Sequence, residues 1–287
     1  MTHPPASQYT PTLRKACHSV LIELIHILSD FVDDIAIVGG WVPELLIPNA
    51  VEEHIGTIDI DLALNPINIS KNVYSTINKL LTKHNYKQND KDNAQFKYFK
   101  TVKINGDAYT IEVDLLTGEY LGQTGRNRRH ETIQDVKPLK ARGVDLVFNR
   151  TETVRISGDL PNNGGKDTVI CKIAGIVPFI VMKGIVLKNR RKEKDAYDIE
   201  YVLRNYRADA TGIGAIAELM APDLDHATVK EALSNIENAF LSPDHYGPTD
   251  IITFLEIDDE AEQAIRKRSA YETVQNFLNT LQSKNKK

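Results

Sequence analysis

The sequence predicts an α+β protein in two parts, a mixed sheet flanked by helices over residues 1–174 and a helical bundle over residues 175–287. Two observations predict this division. In the first part, short runs rich in β-branched and aromatic residues alternate with turn signals and helical segments. In the second part, apolar residues recur mainly at helical spacing, and the helices predicted there are 176–189, 194–207, 211–220, 226–240 and 259–282, with breaks at Pro222, Pro243 and Pro248.

The first elements are a helix and a strand that ends at a glycine pair. Apolar residues recur at helical spacing from residue 12 to about residue 30, which predicts an amphipathic helix. Residues 35–38 form a short apolar run that is stopped by Gly39-Gly40. Pro43 then suits the first turn of a second helix. This segment therefore predicts a strand, a glycine turn and a helix.

Residues 57–64 predict a strand with two carboxylates on one face. Apolar and polar side chains alternate along this run, so Thr57, Asp59 and Asp61 share the polar side. A later run carries a third carboxylate, Asp114, and belongs to a hairpin with the run before it.

Two hairpins are predicted in the remainder of the first part. Residues 95–104 and 108–116 are rich in β-branched and aromatic residues and are joined by an Asn-Gly pair, a strong hairpin signal. A further pair of strands, 153–156 and 168–173, flanks a loop whose Asn and Gly residues favour turns.

The composition is that of a soluble globular protein, with 41% hydrophobic and 26% charged residues. The formal net charge of -4 lacks the basic excess of many nucleic-acid binders, so a polyanion would need a local patch. Cys17 and Cys171 lack the spacing of zinc or redox motifs and are expected to be buried thiols. No apolar run approaches the ~20 residues that span a bilayer, and no signal segment is evident. We therefore expect a cytoplasmic protein with no membrane partner.

The three aspartates have the pattern that divalent-cation chemistry requires. Two ions about 3.5 to 4 Å apart can stabilise both oxygens of an in-line phosphoryl displacement, and Mg²⁺ prefers carboxylate ligands. Asp59 and Asp61 project from one strand face, and Asp114 on a nearby strand would complete the site and help to deprotonate an acceptor. Gly39-Gly40 would let backbone N–H groups approach phosphate oxygens. Each feature has a simpler explanation, a solvated strand face or a plain turn, and only their order and spacing favour the site.

These segments resemble a known superfamily. VGGW at 38–41, GTIDIDLAL at 56–64 and IEVDLL at 111–116 look like the Gly pair, the Asp-x-Asp and the third Asp of the DNA polymerase beta-like nucleotidyltransferases. VMKGIVLKNRRKEKDAYDIEYVL at 181–203 is similar to the Lys-containing helix and the Arg/Lys-x-Asp-x-x-Asp segment of the abortive-infection nucleotidyltransferase toxins, the AbiEii/AbiGii and MenT type. The resemblance implies a nucleotidyltransferase fold for the first part of the chain.

The resemblance also implies roles for particular residues. The implied Mg²⁺ ligands are Asp59, Asp61 and Asp114. The implied contacts to the NTP are Gly39, Gly40, Thr57 and Lys183. Asp198, with Asp195 nearby, is expected close to the same site.

Some of these residues have simpler explanations, and two departures affect the expected pocket. Lys183 would otherwise be an exposed helix lysine, and Asp195 and Asp198 would be carboxylates favoured by a helix N-terminus. Trp41 and Pro43 stand where the family has a small residue and an Ala-Leu pair, which leaves the shape of the base or acceptor pocket open.

Two basic runs could bind the phosphates of an acceptor, one at 183–194 and RNRRH at 126–130. The aromatic residues that could stack on bases beside them are Tyr98, Phe99, Tyr197 and Tyr201. Alternatively, the basic runs are solvated helix faces, and Tyr197 and Tyr201, at i and i+4, belong to the core.

The function implied by the resemblance is Mg²⁺-dependent transfer of NMP from an NTP to RNA, expected to be the tRNA 3′ end. The protein would be the toxin of a toxin-antitoxin or phage-defence pair, with an antitoxin as a partner. A second hypothesis keeps the chemistry but has a small cationic acceptor of the aminoglycoside type, which the sequence pI of about 6.1 permits. A third is a non-catalytic nucleotide- or partner-binding module, against which the presence of all three aspartates argues.

Overall fold

The computed structural model describes residues 4–65, 71–91, 94–118, 138–188, 192–207 and 212–284, with the backbone alone at 71–75. The chain divides into two units. The sheet unit comprises Thr10–Val42 and Gly56–Gly175. The helical unit comprises Met1–Tyr9, Pro43–Ile55 and Ile176–Lys287.

The described part of the sheet unit contains one mixed sheet. Its strands are β1 Ile35–Val38, β2 Asp59–Leu64, β3 Lys87–Gln88, β4 Lys97–Ile104, β5 Asp107–Thr117, β6 Leu139–Lys140, β7 Thr151–Asp159 and β8 Lys166–Ala174. They lie in the order β3-β4-β5-β2-β1-β8-β7, and β6 pairs with β5. β2 runs parallel to β5 and β1 parallel to β8, whereas β1 and β2, β4 and β5, and β7 and β8 are antiparallel pairs. The predicted mixed sheet is therefore confirmed.

Helices flank this sheet. They are α1 Pro11–Ile27, which packs on β4, β5, β7 and β8, and α3 Lys71–Lys83, which contacts β3. A further helix, α2 Trp41–Leu46, begins in the sheet unit, and its residues from Pro43 onward belong to the helical unit. Thr10 caps α1 by accepting a hydrogen bond from the Leu13 N–H, which satisfies one of the free donors of the first turn. Cys17 on α1 and Cys171 on β8 are buried free thiols, as predicted.

The first hairpin follows from its turn residues. Asn105 and Gly106 have φ angles of 53° and 97°, and Asn and Gly are the residues that tolerate two successive positive φ values. The turn joins β4 to β5, so that Ile104 pairs with Asp107. The predicted hairpin is confirmed, and its register places Lys97 opposite Asp114.

The helical unit contains the helices of the second part of the chain. They are α4 Ile176–Leu187, α5 Glu193–Asn205, α6 Gly212–Met220, α7 Ala227–Ala239, α8 Tyr246–Leu255 and α9 Glu260–Lys284. Helix α8 lies where the sequence predicts a break at Pro248, and that prediction is wrong. Pro248 is instead the third residue of α8, in the first turn, where the missing N–H leaves no intrahelical bond unmade. None of the helices within the described ranges has the length and apolarity needed to cross a membrane.

Candidate active site

Four carboxylates lie on one face of the sheet, where β2 and β5 run side by side. The parallel register pairs Asp59 with Glu112 and Asp61 with Asp114. Paired residues on adjacent strands point to the same side of a sheet, and alternate residues of one strand do so as well. We call Asp59, Asp61, Glu112 and Asp114 the carboxylate face. Glu112 was not among the predicted site residues.

Asp114 is largely buried and lies next to a second carboxylate. Its side chain is 18% exposed, and it is the register neighbour of Asp61. Burial, followed by the negative charge of Asp61, raises the pKa of Asp114 to about 8, although Lys97 acts in the opposite direction. A cation placed beside such a carboxyl group would favour its ionised form.

Lys97 on β4 contacts two members of the carboxylate face. Its Nζ lies 3.1 and 3.2 Å from the two carboxylate oxygens of Asp114, and it also donates to the Glu112 carboxylate. Burial lowers the pKa of Lys97, but the bond to Glu112 and the charge of Asp114 outweigh it, so the pKa is raised overall. Lys97 therefore carries a positive charge at neutral pH. Lys97 was not among the predicted site residues.

Gly39 and Gly40 leave the space in which two polar side chains lie. Gly39 has a φ of +69°, and a Cβ on it would lie 2.0 Å from a carboxylate oxygen of Asp61. A Cβ on Gly40 would lie 2.5 Å from the Thr57 hydroxyl. The glycine pair is therefore required for Asp61 and Thr57 to approach the backbone so closely.

Asp59 is oriented by Thr57 and Trp41. The Thr57 hydroxyl donates to Asp59 Oδ1 at 2.5 Å, and the Trp41 indole N–H donates to the Asp59 carbonyl oxygen at 3.1 Å. Thr57 and Trp41 are 3% and 1% exposed. Trp41, whose effect on the pocket the sequence left open, is thus a buried residue that fixes the start of β2. The nucleotide contact of Thr57 stays a prediction.

Lys183 and Asp198 lie in the helical unit, in a buried group of charges. Lys183 Nζ is 2.7 Å from Asp195 Oδ1 and 2.7 Å from Asp198 Oδ2, and Lys194 Nζ is 2.7 Å from Asp198 Oδ1. The four side chains are between 0% and 10% exposed, so Lys183 is not an exposed helix lysine. Together with His54, these residues form what we call the buried charge cluster.

His54 completes the buried charge cluster as a neutral ring. Its Nε2 lies 2.9 Å from Asp198 Oδ1. Burial, followed by the charge of Lys194, lowers the pKa of His54 to about 4, so the ring is neutral at pH 7 and its Nε2–H donates to the carboxylate. For Asp198, burial would raise the pKa, but Lys183 and Lys194 outweigh it and hold the pKa well below its usual range.

Tyr98, Tyr197 and Tyr201 are 0%, 1% and 1% exposed, so they do not stack on nucleic-acid bases, and the alternative that Tyr197 and Tyr201 belong to the core is confirmed. Tyr197 and Tyr201 instead pack around the His54 ring, with centroids 5.4 and 4.7 Å from its centre. Phe99 is partly exposed.

The basic run at 183–194 is only partly on the surface. Lys188 is exposed, Lys192 is partly exposed and Lys194 is buried. The structure does not describe Arg190, Arg191 or the second basic run at 126–130.

The carboxylate face fits a divalent cation by its chemistry. Carboxylates on adjacent strands are the ligands that Mg²⁺ prefers, and the raised pKa of Asp114 indicates that this face favours additional positive charge. With the side chains as they stand, no three His, Cys, Asp or Glu residues of the described ranges are arranged to hold a metal ion. Asp59 is bonded to Thr57 and Asp114 to Lys97, so a cation would require these contacts to rearrange.

Comparison with known proteins finds two weakly similar solved structures. No protein-family model matches this sequence, and no curated protein matches it. Among solved structures, the chain is similar to an antigenic nucleotidyltransferase-like protein from Paracoccidioides brasiliensis, with 18% identity over 77% of this chain and 94% of that one and a TM-score of 0.40. It is also similar to JHP933 from Helicobacter pylori, with 14% identity over 92% of this chain and 94% of that one and a TM-score of 0.36. Scores this low assign no family, and the functional conclusion rests on the carboxylate face and the sequence motifs.

Proposed function

We propose that this protein is a nucleotidyltransferase that transfers NMP from an NTP to an acceptor hydroxyl. The observation that carries the proposal is the alignment of Asp59, Asp61 and Asp114 on adjacent parallel strands, beside Gly39, whose missing side chain admits the Asp61 carboxylate. In this role the three aspartates would hold Mg²⁺, which when bound offsets the negative charge of the triphosphate and of the leaving pyrophosphate.

In this proposal, some residues of the sheet unit position the carboxylates and the phosphates, and one accepts a proton. The Thr57 hydroxyl orients the Asp59 carboxylate. The sequence resemblance gives the backbone N–H groups of Gly39 and Gly40 contacts to the phosphates. Asp114, which a cation beside it would hold in the ionised form, would accept the proton of the attacking hydroxyl.

Lys183 and Asp198 belong to the proposal through the sequence resemblance. The resemblance gives Lys183 a contact to the triphosphate and places Asp198 near the reaction. Lys183 forms ion pairs with Asp195 and Asp198, so a phosphate contact would require its ammonium to exchange a carboxylate for a phosphate oxygen. Lysine is suited to this exchange, because its charge lies at the end of a flexible stem.

The acceptor is the finer part of the proposal and rests on the resemblance alone. We propose RNA, specifically the 3′ end of tRNA, for a cytoplasmic toxin that an antitoxin protein restrains. The division of the chain into a catalytic domain up to residue 174 and a helical domain after it belongs to the same proposal.

One transfer assay tests the proposal and separates it from its alternatives. The protein is incubated with each labelled NTP, Mg²⁺, total tRNA and an aminoglycoside, and is compared with Asp61→Asn. Asp107→Asn is the matched control, because Asp107 is an exposed carboxylate on the same strand as Asp114. We expect label on tRNA for the native protein and the control and none for Asp61→Asn.

Other outcomes correct the proposal. Label on the aminoglycoside alone would overturn the RNA acceptor and support the small-molecule hypothesis. Nucleotide binding without transfer to any acceptor would overturn the enzymatic function and support the non-catalytic module.

A further inference from the structure

The ammonium group of Lys97 lies against both carboxylate oxygens of Asp114 and leaves little room for another cation there. Its Nζ contacts both carboxylate oxygens, at 3.1 and 3.2 Å. Mg²⁺ binds a carboxylate oxygen at about 2.0 to 2.1 Å. An ammonium group and a divalent ion on the same carboxylate would repel each other at this separation, so the two cations exclude each other at Asp114.

The side chain of Lys97 is able to leave. It is 26% exposed, and its four-carbon stem is flexible. Its second partner, Glu112, is the register neighbour of Asp59 and lies on the same face of the sheet. If Asp114 is taken by another cation, the ammonium group can therefore remain on Glu112, close to the site and without being transferred to solvent.

We propose that Lys97 is a resident cation of the carboxylate face, which occupies Asp114 in the metal-free protein and withdraws to Glu112 when a divalent ion binds. Lys97 is then a positioning residue that sets the affinity for the metal. The inference rests on the proposed function in one respect, since it requires a divalent ion to bind at the carboxylate face.

The test is the binding of Mn²⁺, measured by electron paramagnetic resonance, and of Mg²⁺, measured by titration calorimetry. Lys97→Met is compared with the native protein and with Lys103→Met, a matched control because Lys103 is an exposed lysine of the same strand, opposite Ala108. We expect Lys97→Met to bind Mn²⁺ at least about fivefold more tightly, the lower end of couplings between two ligands of one protein. Lys103→Met should bind like the native protein.

Two further measurements distinguish direct competition from a general change of charge. The gain in affinity should persist in 0.5 M salt, because screening weakens long-range effects far more than displacement from a shared carboxylate. Adding Asp61→Asn to Lys97→Met should abolish the tightened binding, which assigns it to the carboxylate face. Trp41 fluorescence checks that each variant is folded, and Lys97→Gln replaces Lys97→Met if the latter is not.

The outcomes separate this inference from the proposed function. If the native protein binds Mn²⁺ through Asp61 and Lys97→Met binds it equally or more weakly, Lys97 is not a competitor, while the proposed function stands. If neither the native protein nor Lys97→Met binds Mn²⁺ at the carboxylate face, both proposals are overturned.

Discussion

Two lysine–aspartate contacts in this protein have opposite electrostatic results. In the sheet unit, Lys97 lies 3.1 Å from Asp114, and the pKa of Asp114 is nevertheless raised to about 8. In the helical unit, Lys183 lies 2.7 Å from Asp198, and the pKa of Asp198 is held well below its usual range. Burial opposes ionisation at both aspartates, so the distance to one lysine does not decide the state of either.

The difference arises from the other neighbours. Asp198 also accepts bonds from Lys194 and from the neutral ring of His54, and these donors together outweigh the cost of burial. Asp114 has Asp61 beside it, which adds to that cost. The comparison teaches that lysines of the protein itself compensate the charge of Asp198, whereas the carboxylate face is suited to receive a cation from outside.

The largest effect is expected from breaking the buried charge cluster. Lys183→Met should destabilise the helical unit by about 3 to 5 kcal/mol, because Asp195 and Asp198 would remain buried without this cation. Urea unfolding followed by far-UV circular dichroism, with hydrogen exchange in α5, measures the loss. Lys188→Met is the control, since Lys188 is exposed just beyond the same helix and should change stability by less than about 0.5 kcal/mol. A Lys183→Met protein as stable as the native one would contradict a structural role for this ion pair.

Acid should also destabilise the buried charge cluster. His54 has a folded-state pKa of about 4, below its ordinary value of 6.5, so protonation favours the unfolded chain. The stability that depends on the neutral ring is present above pH 6.5 and is lost as the pH falls towards 4. Between pH 7 and pH 5 the native protein should lose about 2 kcal/mol more than His54→Gln, whose side chain does not titrate. Parallel losses in the two proteins, measured by urea unfolding at each pH, would show that another group controls acid stability.

A divalent ion should stabilise the sheet unit, which carries the carboxylate face. Mg²⁺ at about 100 times its dissociation constant should stabilise the sheet unit by about 2.7 kcal/mol. The fluorescence of Trp41, the single tryptophan of the chain, follows this unit because Trp41 is buried within it. Asp61→Asn should show no stabilisation, and an equal response of this variant would place the ion elsewhere.

The smallest effect is a shift in the titration of one carboxyl group. Without metal, Asp61→Asn should lower the pKa of Asp114 by about one unit, or about 1.4 kcal/mol, because a neighbouring negative charge is removed. Carbon-13 NMR of labelled aspartate carboxyl groups measures the shift. Asp107→Asn should leave it unchanged. If Asp61→Asn also leaves it unchanged, burial alone is responsible for the raised pKa of Asp114.

Local patterns predicted the elements that position the site. The apolar run at 35–38 is β1, and the alternation from residue 57 corresponds to β2, because side-chain periodicity reports which face of a strand is buried. The Asn-Gly pair also sets the register of the β4–β5 hairpin. A two-residue turn pairs Ile104 with Asp107, and counting outward from it places Lys97 opposite Asp114.

Other features depend on contacts that no local pattern specifies. Proline cannot donate a backbone hydrogen bond, but the first turn of a helix does not need that bond, so Pro248 was compatible with α8 as well as with a break. His54 lies 144 residues from Asp198 in the sequence, and nothing near His54 indicates that its ring is buried against a carboxylate.

The sequence by itself determined the mixed sheet with its C-terminal helices, the glycine bend and three of the four carboxylates of the carboxylate face, because these follow from periodicity and turn chemistry. Only the tertiary structure decided that Asp61 pairs with Asp114, since strands brought together from distant parts of the chain have no turn to set their register. It also decided the pKa values of two aspartates, since the pKa of Asp114 is raised and that of Asp198 is lowered. The physical reason is that the pKa of a carboxyl group depends on its burial and on its neighbours in space, and its position along the chain specifies neither.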